Sequence, residues 1–218
     1  MKLHPLSSIT KYLLVGLLGL VSTFGMSWAS PKGDANKGQK LYGVCTACHG
    51  AQGAGNRAMN SPSIAGQEAW YLSTQLNNFK KGIRGAHKDD KWGKTMRPMS
   101  MTLANDQAIA DVIAYIQTFP EPKKEDLSAW GGDAKKGQTL YATCAACHGA
   151  KGTGNPALHS PRLTALPSWY MLTQLKNFKL GIRGAHKDDK WGKTMRPMSM
   201  TLANDQAIKD VIAYIKSL

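Results

Sequence analysis

Apolar side chains recur at helical spacing in three stretches of each half of the chain, and no segment is typical of a β-sheet. The stretches are 34–47, 68–81 and 105–118, and then 133–146, 168–180 and 204–217. In the second stretch, for example, Trp70, Leu76 and Phe79 fall on one helical face. Asn105 and Asn204 begin the last stretch of each half, and asparagine is a favoured N-cap. The pattern predicts an all-α protein with three or four helices in each half.

The second half of the chain repeats the first at an offset of 99 residues. The segment GIRGAHKDDKWGKTMRPMSMTLANDQAI occupies 82–109 and again 181–208 without a single difference. Two prolines and a run of charges break the helical pattern between the halves. We therefore expect two homologous domains, at 30–119 and 131–218, joined by a semi-extended linker at 120–130.

The first 29 residues are typical of a secretory signal peptide. Lys2 and Lys11 precede an apolar run at 12–24, and small residues follow up to Ala29. The run is short for a membrane span, although retention as an anchor is an alternative. Cleavage after Ala29 and export to the periplasm are expected.

One pentapeptide pattern, Cys-x-x-Cys-His, occurs twice and uses all four cysteines of the chain. The residues are Cys45, Cys48 and His49, and then Cys144, Cys147 and His148. Two thiols one helical turn apart match the two vinyl groups of a haem, and the adjoining histidine can reach its iron. The sequence predicts two covalently bound haem c groups, with His49 and His148 as iron ligands.

Other uses of paired cysteines fit the sequence less well. A disulfide framework does not need a histidine after each second cysteine, and a zinc site needs both pairs to converge on one metal. A thioredoxin-like motif needs a βαβ context, which the flanking sequence lacks. Haem attachment therefore remains the interpretation.

A sixth iron ligand is expected among methionines that recur unchanged in both halves. Glycine and proline occur within their segment, which is therefore predicted to be a loop. The methionines are Met96, Met99 and Met101, and then Met195, Met198 and Met200. A single methionine is usually core filler, but this repetition favours at least one ligand in each copy, which would raise the reduction potential. His87 and His186 are the alternative ligands, although their charged neighbours indicate a solvated loop. His159 has no counterpart in the first half and is not expected to bind iron.

The chain is strongly basic. Its 28 lysines and arginines and 14 acidic residues give +14, and the first 29 residues carry only two of the basic residues, so the remainder is +12. This charge favours an acidic partner surface or an anionic membrane face. Lysines scattered through both repeats form no concentrated basic stripe, so nucleic acid is not expected as a partner.

Several motifs together resemble a known family. Pro62 and Pro161 lie thirteen residues after the motif histidines, the pattern Tyr-Leu-x-x-Gln-Leu-x-x-Phe marks a helix, and a methionine lies seven residues before Leu103. These features, with the two Cys-x-x-Cys-His motifs, resemble the dihaem cytochromes of the cytochrome c4 family. The resemblance covers essentially the whole chain after residue 29 and implies two tandem class I cytochrome c-like domains.

The resemblance also implies roles for particular residues. It selects Met96 and Met195 as the axial ligands opposite the histidines. It implies that the carbonyl oxygens of the two prolines accept the ring N–H of the histidines, and that the first and last helices of each domain cross closely. The crossing pairs are Gly38 with Tyr115, and Gly137 with Tyr214. Trp92 and Trp191, with Arg97 and Arg196, are candidates for contacts with haem propionates or between domains.

The function that the resemblance implies is electron transfer. A quinol-oxidising cytochrome bc complex is the expected donor and a terminal oxidase or reductase the expected acceptor, each with an acidic docking face. With both axial positions filled, neither iron would bind a small-molecule substrate, so the chain is not expected to be an enzyme. The alternatives are a dihaem oxidoreductase, such as a peroxidase or a thiosulfate-oxidising enzyme, and a fixed haem subunit of a larger respiratory complex.

Overall fold

The structure, a computed structural model, describes residues 31–218. The predicted signal peptide at 1–29 lies outside the described residues. Within 31–218, no helix combines the length and the apolar composition that a membrane crossing requires.

Four α-helices and one short 3₁₀ turn form each half. The helices of the first half are α1 (Ala35–His49), α2 (Ala69–Lys80), α3 (Lys91–Met101) and α4 (Asp106–Ile116). Those of the second half are α5 (Ala134–His148), α6 (Ser168–Lys179), α7 (Gly192–Met200) and α8 (Asp205–Ser217). The described residues contain no β-strand, only two isolated antiparallel bridges. The predicted all-α class is confirmed.

The helices predicted from apolar spacing are confirmed, whereas the loop predicted around the methionines is wrong. That segment is helical in both copies, as α3 and α7. The carboxylate of Asp90 accepts a hydrogen bond from the backbone N–H of Gly93 at 3.0 Å, which caps the start of α3. Pro98 lies inside the helix. An interior proline ordinarily disfavours a helix, yet the helix continues to Met101.

The first and last helices of each half cross so closely that only glycine fits at the contact. A Cβ atom on Gly38 would lie 1.9 Å from the carbonyl oxygen of Asp111 and 2.9 Å from the Cβ atom of Tyr115. Gly137 meets Asp210 at the same 1.9 Å. The crossing implied by the family resemblance is confirmed, and it anchors the helices that carry the cysteines to the cores.

Each half has its own apolar core between its first, second and last helices. Tyr42, Leu72 and Ile109 belong to the first core, and Tyr141, Met171 and Ile208 to the second. The hydroxyl groups of Tyr42 and Tyr141 donate to the carbonyl oxygens of Gly50 and Gly149, each at 2.7 Å. These bonds hold the chain that leaves each Cys-x-x-Cys-His motif.

Polar contacts join the two halves near the connecting segment. Arg162 lies at the centre of these contacts: its backbone N–H donates to Glu68 at 3.0 Å and its carbonyl oxygen accepts from the side chain of Gln67 at 2.9 Å. Its guanidinium pairs with Glu121 at 2.9 Å. The halves are therefore held in a defined arrangement by hydrogen bonds as well as by the chain.

Candidate functional site

Two open clefts of similar size, one in each half, bring the predicted site residues together. The first is lined by Cys45, His49 and Met96 among others. The second is lined by the equivalent set, Cys144, His148 and Met195. Cys48 and Cys147 are half-buried one helical turn after the first cysteine of each motif.

The motif histidines are buried and oriented by one hydrogen bond each. His49 and His148 are 6% and 5% exposed, and the Nδ1–H of each donates to the carbonyl oxygen of Pro62 or Pro161 at 2.8 Å. This confirms the contact implied by the family resemblance and leaves Nε2 free to bind iron. Burial lowers the pKa of both imidazoles, against a smaller opposing effect of the carbonyl bond. The neutral imidazole is the form that binds a metal.

The cysteines that line the clefts are thiols in an apolar setting. Burial raises the pKa of the Cys45 thiol, and the neighbouring Cys48 raises it further. Cys144 is affected in the same way by burial and by Cys147. The last turn of α1 or α5 places each pair on one helical face, at the spacing that two vinyl groups of a haem require.

Only one methionine of each predicted trio lines a cleft. Met96 and Met195 are half-buried in the cleft walls. Met101 and Met200 point into solvent, with 62% and 63% of their surface exposed, and neither lines a cleft. The structure therefore places in the cleft wall the same methionine that the family resemblance selects.

The alternative histidine ligands lie away from the clefts. His87 is exposed in the loop before α3, where its Nδ1 accepts from the backbone N–H of Asp89 at 3.2 Å. His186 makes the equivalent contact with Asp188. Neither histidine lines a cleft, so their position does not suit iron ligation.

Buried nitrogen atoms without a hydrogen-bond partner lie in the clefts or close to the methionines of the cleft walls. Among residues 31–218, the Nε atoms of Arg84, Arg97 and Arg196 and the Nε1 atom of Trp70 have no hydrogen-bond acceptor. Arg84 and Trp70 line the clefts, and the other two arginines directly follow Met96 and Met195. Unused cationic donors match the carboxylates of haem propionates, so the residues present fit a haem in each cleft.

A hydrogen-bonded ring that the sequence analysis missed separates the two clefts. The side-chain oxygen of Gln75 accepts from Arg84 at 2.7 Å and from Arg183 at 3.0 Å, and that of Gln174 accepts from the same arginines at 3.0 and 2.9 Å. We call these four residues the arginine–glutamine ring. The available clue was that both glutamines belong to the repeated helix motif and both arginines to the identical block.

The ring is part of a wall common to both clefts. Tyr71 and Tyr170 also line both, and each hydroxyl accepts from the arginine of the other half, at 3.2 Å from Arg183 and 2.6 Å from Arg84. The two candidate haem sites therefore face each other across a thin polar partition.

Comparison with known proteins points to one family. The cytochrome c family model matches residues 35–120 and 134–218. Cytochrome c4 of Azotobacter vinelandii is 32% identical over 96% of this chain and 97% of that protein. A thiosulfate dehydrogenase electron acceptor of Stutzerimonas stutzeri is 28% identical over 87% of this chain and 89% of that protein. The crystal structure of reduced cytochrome c4 from Pseudomonas stutzeri superposes with a TM-score of 0.68 and 30% identity, covering 85% of this chain and 99% of that one.

Proposed function

The chain belongs to the cytochrome c4 family of dihaem cytochromes c, and from that premise we propose that it carries electrons through the periplasm, from a quinol-oxidising cytochrome bc complex to a terminal oxidase or reductase. Electron transfer with two covalent haem c groups is the property of the family. The observation that carries the proposal is the pairing, in each apolar cleft, of a buried histidine with one methionine.

The proposed iron ligands are residues that line the clefts. Each haem would be attached through the two cysteines of its motif, and its iron would be held by His49 and Met96 in the first half and by His148 and Met195 in the second. When bound, each haem supplies a centre that accepts and releases one electron. The bond from Pro62 or Pro161 keeps the imidazole in one orientation, so little rearrangement accompanies a change of charge.

The proposed role excludes substrate chemistry at either iron. If His49 with Met96, and His148 with Met195, hold the two irons, neither iron would keep an open coordination position, and the protein would act as a carrier and not as an enzyme. The two domains are proposed to lie at 30–119 and 131–218. The arginine–glutamine ring holds them face to face, which supports electron exchange between the haems within one molecule.

The charge distribution supports docking to acidic partners. The chain carries +14 in total, and lysines lie over the tryptophans that line each cleft. Lys91 is 4.9 Å from the ring centroid of Trp92, and Lys190 is 4.5 Å from that of Trp191. The rate of electron transfer with an acidic partner should therefore fall as the salt concentration rises, and a rate independent of salt contradicts this part of the proposal.

A redox titration of the purified protein tests the carrier function. Both haems should show the near-infrared band of methionine bonded to ferric haem, and the reduced protein should not bind carbon monoxide. Met96→Ala should remove the band from one haem and open it to carbon monoxide, whereas Met99→Ala, a surface control, should change neither property. A native protein in which one haem lacks the band and binds the gas favours a dihaem oxidoreductase instead.

A second candidate is suggested by two relatives that are named as electron acceptors of thiosulfate dehydrogenase. On this alternative the chain is still a carrier, but its donor is a thiosulfate-oxidising enzyme. Reduction of the protein by that enzyme and thiosulfate, compared with reduction by a cytochrome bc complex and quinol, distinguishes the two donors.

A further inference from the structure

The two clefts differ at one position where a histidine replaces an asparagine. His159 occupies the place that Asn60 has in the first half, and the two residues share a left-handed backbone with φ of 51° and 52°. The His159 ring stacks on Trp191, with centroids 3.9 Å apart and planes 13° apart. Trp70, from the other half, meets His159 edge-on at 5.7 Å. We call Trp70, His159 and Trp191 the aromatic cluster; all three line the second cleft.

The first cleft has no equivalent of this cluster. Asn60 lines it but supplies no aromatic ring, and Trp92, the counterpart of Trp191, is 41% exposed where Trp191 is half-buried. Trp169, the counterpart of Trp70, does not line the first cleft but a groove beside the connecting segment. The blocks around the methionines are identical in sequence, yet their surroundings in the fold are not.

The cluster also brings a donor from the first half to the second cleft. The Nε1 atom of Trp70 is buried and has no hydrogen-bond partner within residues 31–218. Its indole lines the second cleft, so this donor is available to a haem carboxylate there. The second haem site is therefore assembled from both halves of the chain and includes one imidazole that the first site lacks.

Building on the proposed function, we propose that His159 makes the reduction potential of the second haem depend on pH, while the first haem has no such dependence. Ferric haem carries one more positive charge than ferrous haem, and uptake of one electron converts ferric into ferrous haem. A protonated imidazole in the cleft wall repels the ferric haem more strongly than the ferrous haem, so it raises the reduction potential of that haem. The potential of the second haem should then fall as His159 loses its proton with rising pH.

The other charged groups around His159 do not produce this effect. Arg84, Arg183 and Asp189 line the second cleft together with His159. Lys190 lies over the Trp191 ring, and Glu68 accepts from the backbone N–H of Arg162, three residues after His159. Histidine is the side chain that ordinarily changes charge between about pH 5 and pH 8, so these groups supply a constant field there.

Outside the haem motifs, the other histidines of residues 31–218 and the haem propionates occur in both halves. His87 and His186 recur at equivalent positions of both halves, make equivalent hydrogen bonds and line neither cleft. Propionates, if they titrate in this range, occur on both haems. An effect that is confined to the second haem and that His159→Asn removes therefore identifies His159.

Redox titrations of four proteins between about pH 5.5 and pH 8.5 test the proposal: the native chain, His159→Asn, Asn60→His and the double exchange. Both positions hold a left-handed residue, which asparagine and histidine tolerate, so the variants should fold. In the native protein one of the two potentials should fall across this range. Because His159 is exposed and solvent screens its charge, the expected change in the reduction equilibrium is only about two- to fivefold, or about 20 to 40 mV at 59 mV per tenfold.

The variants separate the possible outcomes. His159→Asn should abolish the pH dependence of that potential, and Asn60→His should introduce one at the other haem. An unchanged pH profile in His159→Asn, or equal pH dependence of both potentials in every protein, overturns the proposal. Haem content and the methionine band, recorded beforehand at neutral pH, report failure of the carrier function separately.

Discussion

Replacement of Gly38 by alanine tests whether the close crossing of α1 and α4 holds the first domain together. The added Cβ atom would lie 1.9 Å from the carbonyl oxygen of Asp111, whereas ordinary contact begins at 3.4 Å. The helices must therefore part by about 1.5 Å, because the obstacle is backbone and cannot rotate away. The first cysteine motif lies at the end of the displaced helix.

The expected cost can be worked out from two opposing effects. Overpacking of a core contact costs about 1–3 kcal/mol, and this contact belongs at the upper end because a backbone atom is involved. Alanine favours a helix over glycine by about 1 kcal/mol. The free energy of unfolding of the first domain should therefore fall by about 2 kcal/mol, which lowers its guanidinium midpoint by roughly 0.5–1 M.

A matched control lies in the same helix. Gly43 is exposed, a Cβ atom there would meet nothing within 4 Å, and the second half has Ala142 at the equivalent position. Gly43→Ala should therefore stabilise the first domain by about 0.5–1 kcal/mol. Guanidinium unfolding of the haem-loaded proteins, followed by circular dichroism and haem absorption, measures the stability of both variants. Equal stability of Gly38→Ala and the native protein would falsify the crossing argument.

Three further predictions concern the interface, acid stability and a helix cap. Arg183→Met removes donors from the arginine–glutamine ring and should increase the rate of tryptic cleavage in the connecting segment several-fold; an unchanged rate shows that the ring does not hold the domains together. The backbone N–H of Asp34 holds the pKa of the Asp111 carboxyl below its usual value, so this carboxylate stabilises the fold above about pH 4 and loses that effect as the pH falls further. The stability deficit of Asp111→Asn should accordingly shrink on acidification, and a constant deficit in guanidinium unfolding from neutral pH to about pH 3.5 refutes this. Glu125 accepts from the backbone N–H of Ser168 at 2.8 Å and caps α6, so Glu125→Ala should cost the second domain about 1 kcal/mol in unfolding experiments, whereas no loss contradicts the cap.

The helices that could be predicted were those whose apolar faces are encoded locally, and in some of them the N-cap is local as well. Asn105 and Asn204 cap α4 and α8 through their side chains, as expected from the sequence. The segment around Met96 was assigned to a loop because glycine and proline disfavour helices, but a buried aspartate caps it and it packs as a helix. Local preferences alone do not decide such a case, because the cap is stabilised by its burial in the folded domain.

The candidate haem sites likewise combine residues that are neighbours in the sequence with residues that are far apart in it. Cysteines and histidines of the motifs are neighbours along one helix turn, so their spacing in the sequence already specifies their chemistry. The arginine–glutamine ring joins residues that are 108 and 90 positions apart in the chain, and no local pattern predicts which glutamine an arginine reaches. Such contacts depend on how the two domains pack.

By itself, the sequence determined the two haem attachment motifs, the all-α class and the duplication, because each depends on the order and spacing of neighbouring residues. Only the tertiary structure decided that Met96 faces a cleft while Met101 faces solvent, and that His159 stacks on Trp191 and meets Trp70, from the other half, edge-on. The reason is physical: the direction of a side chain and the atoms it meets are set by the packing of helices that are distant in the chain. Two identical sequence blocks therefore have different surroundings within one molecule.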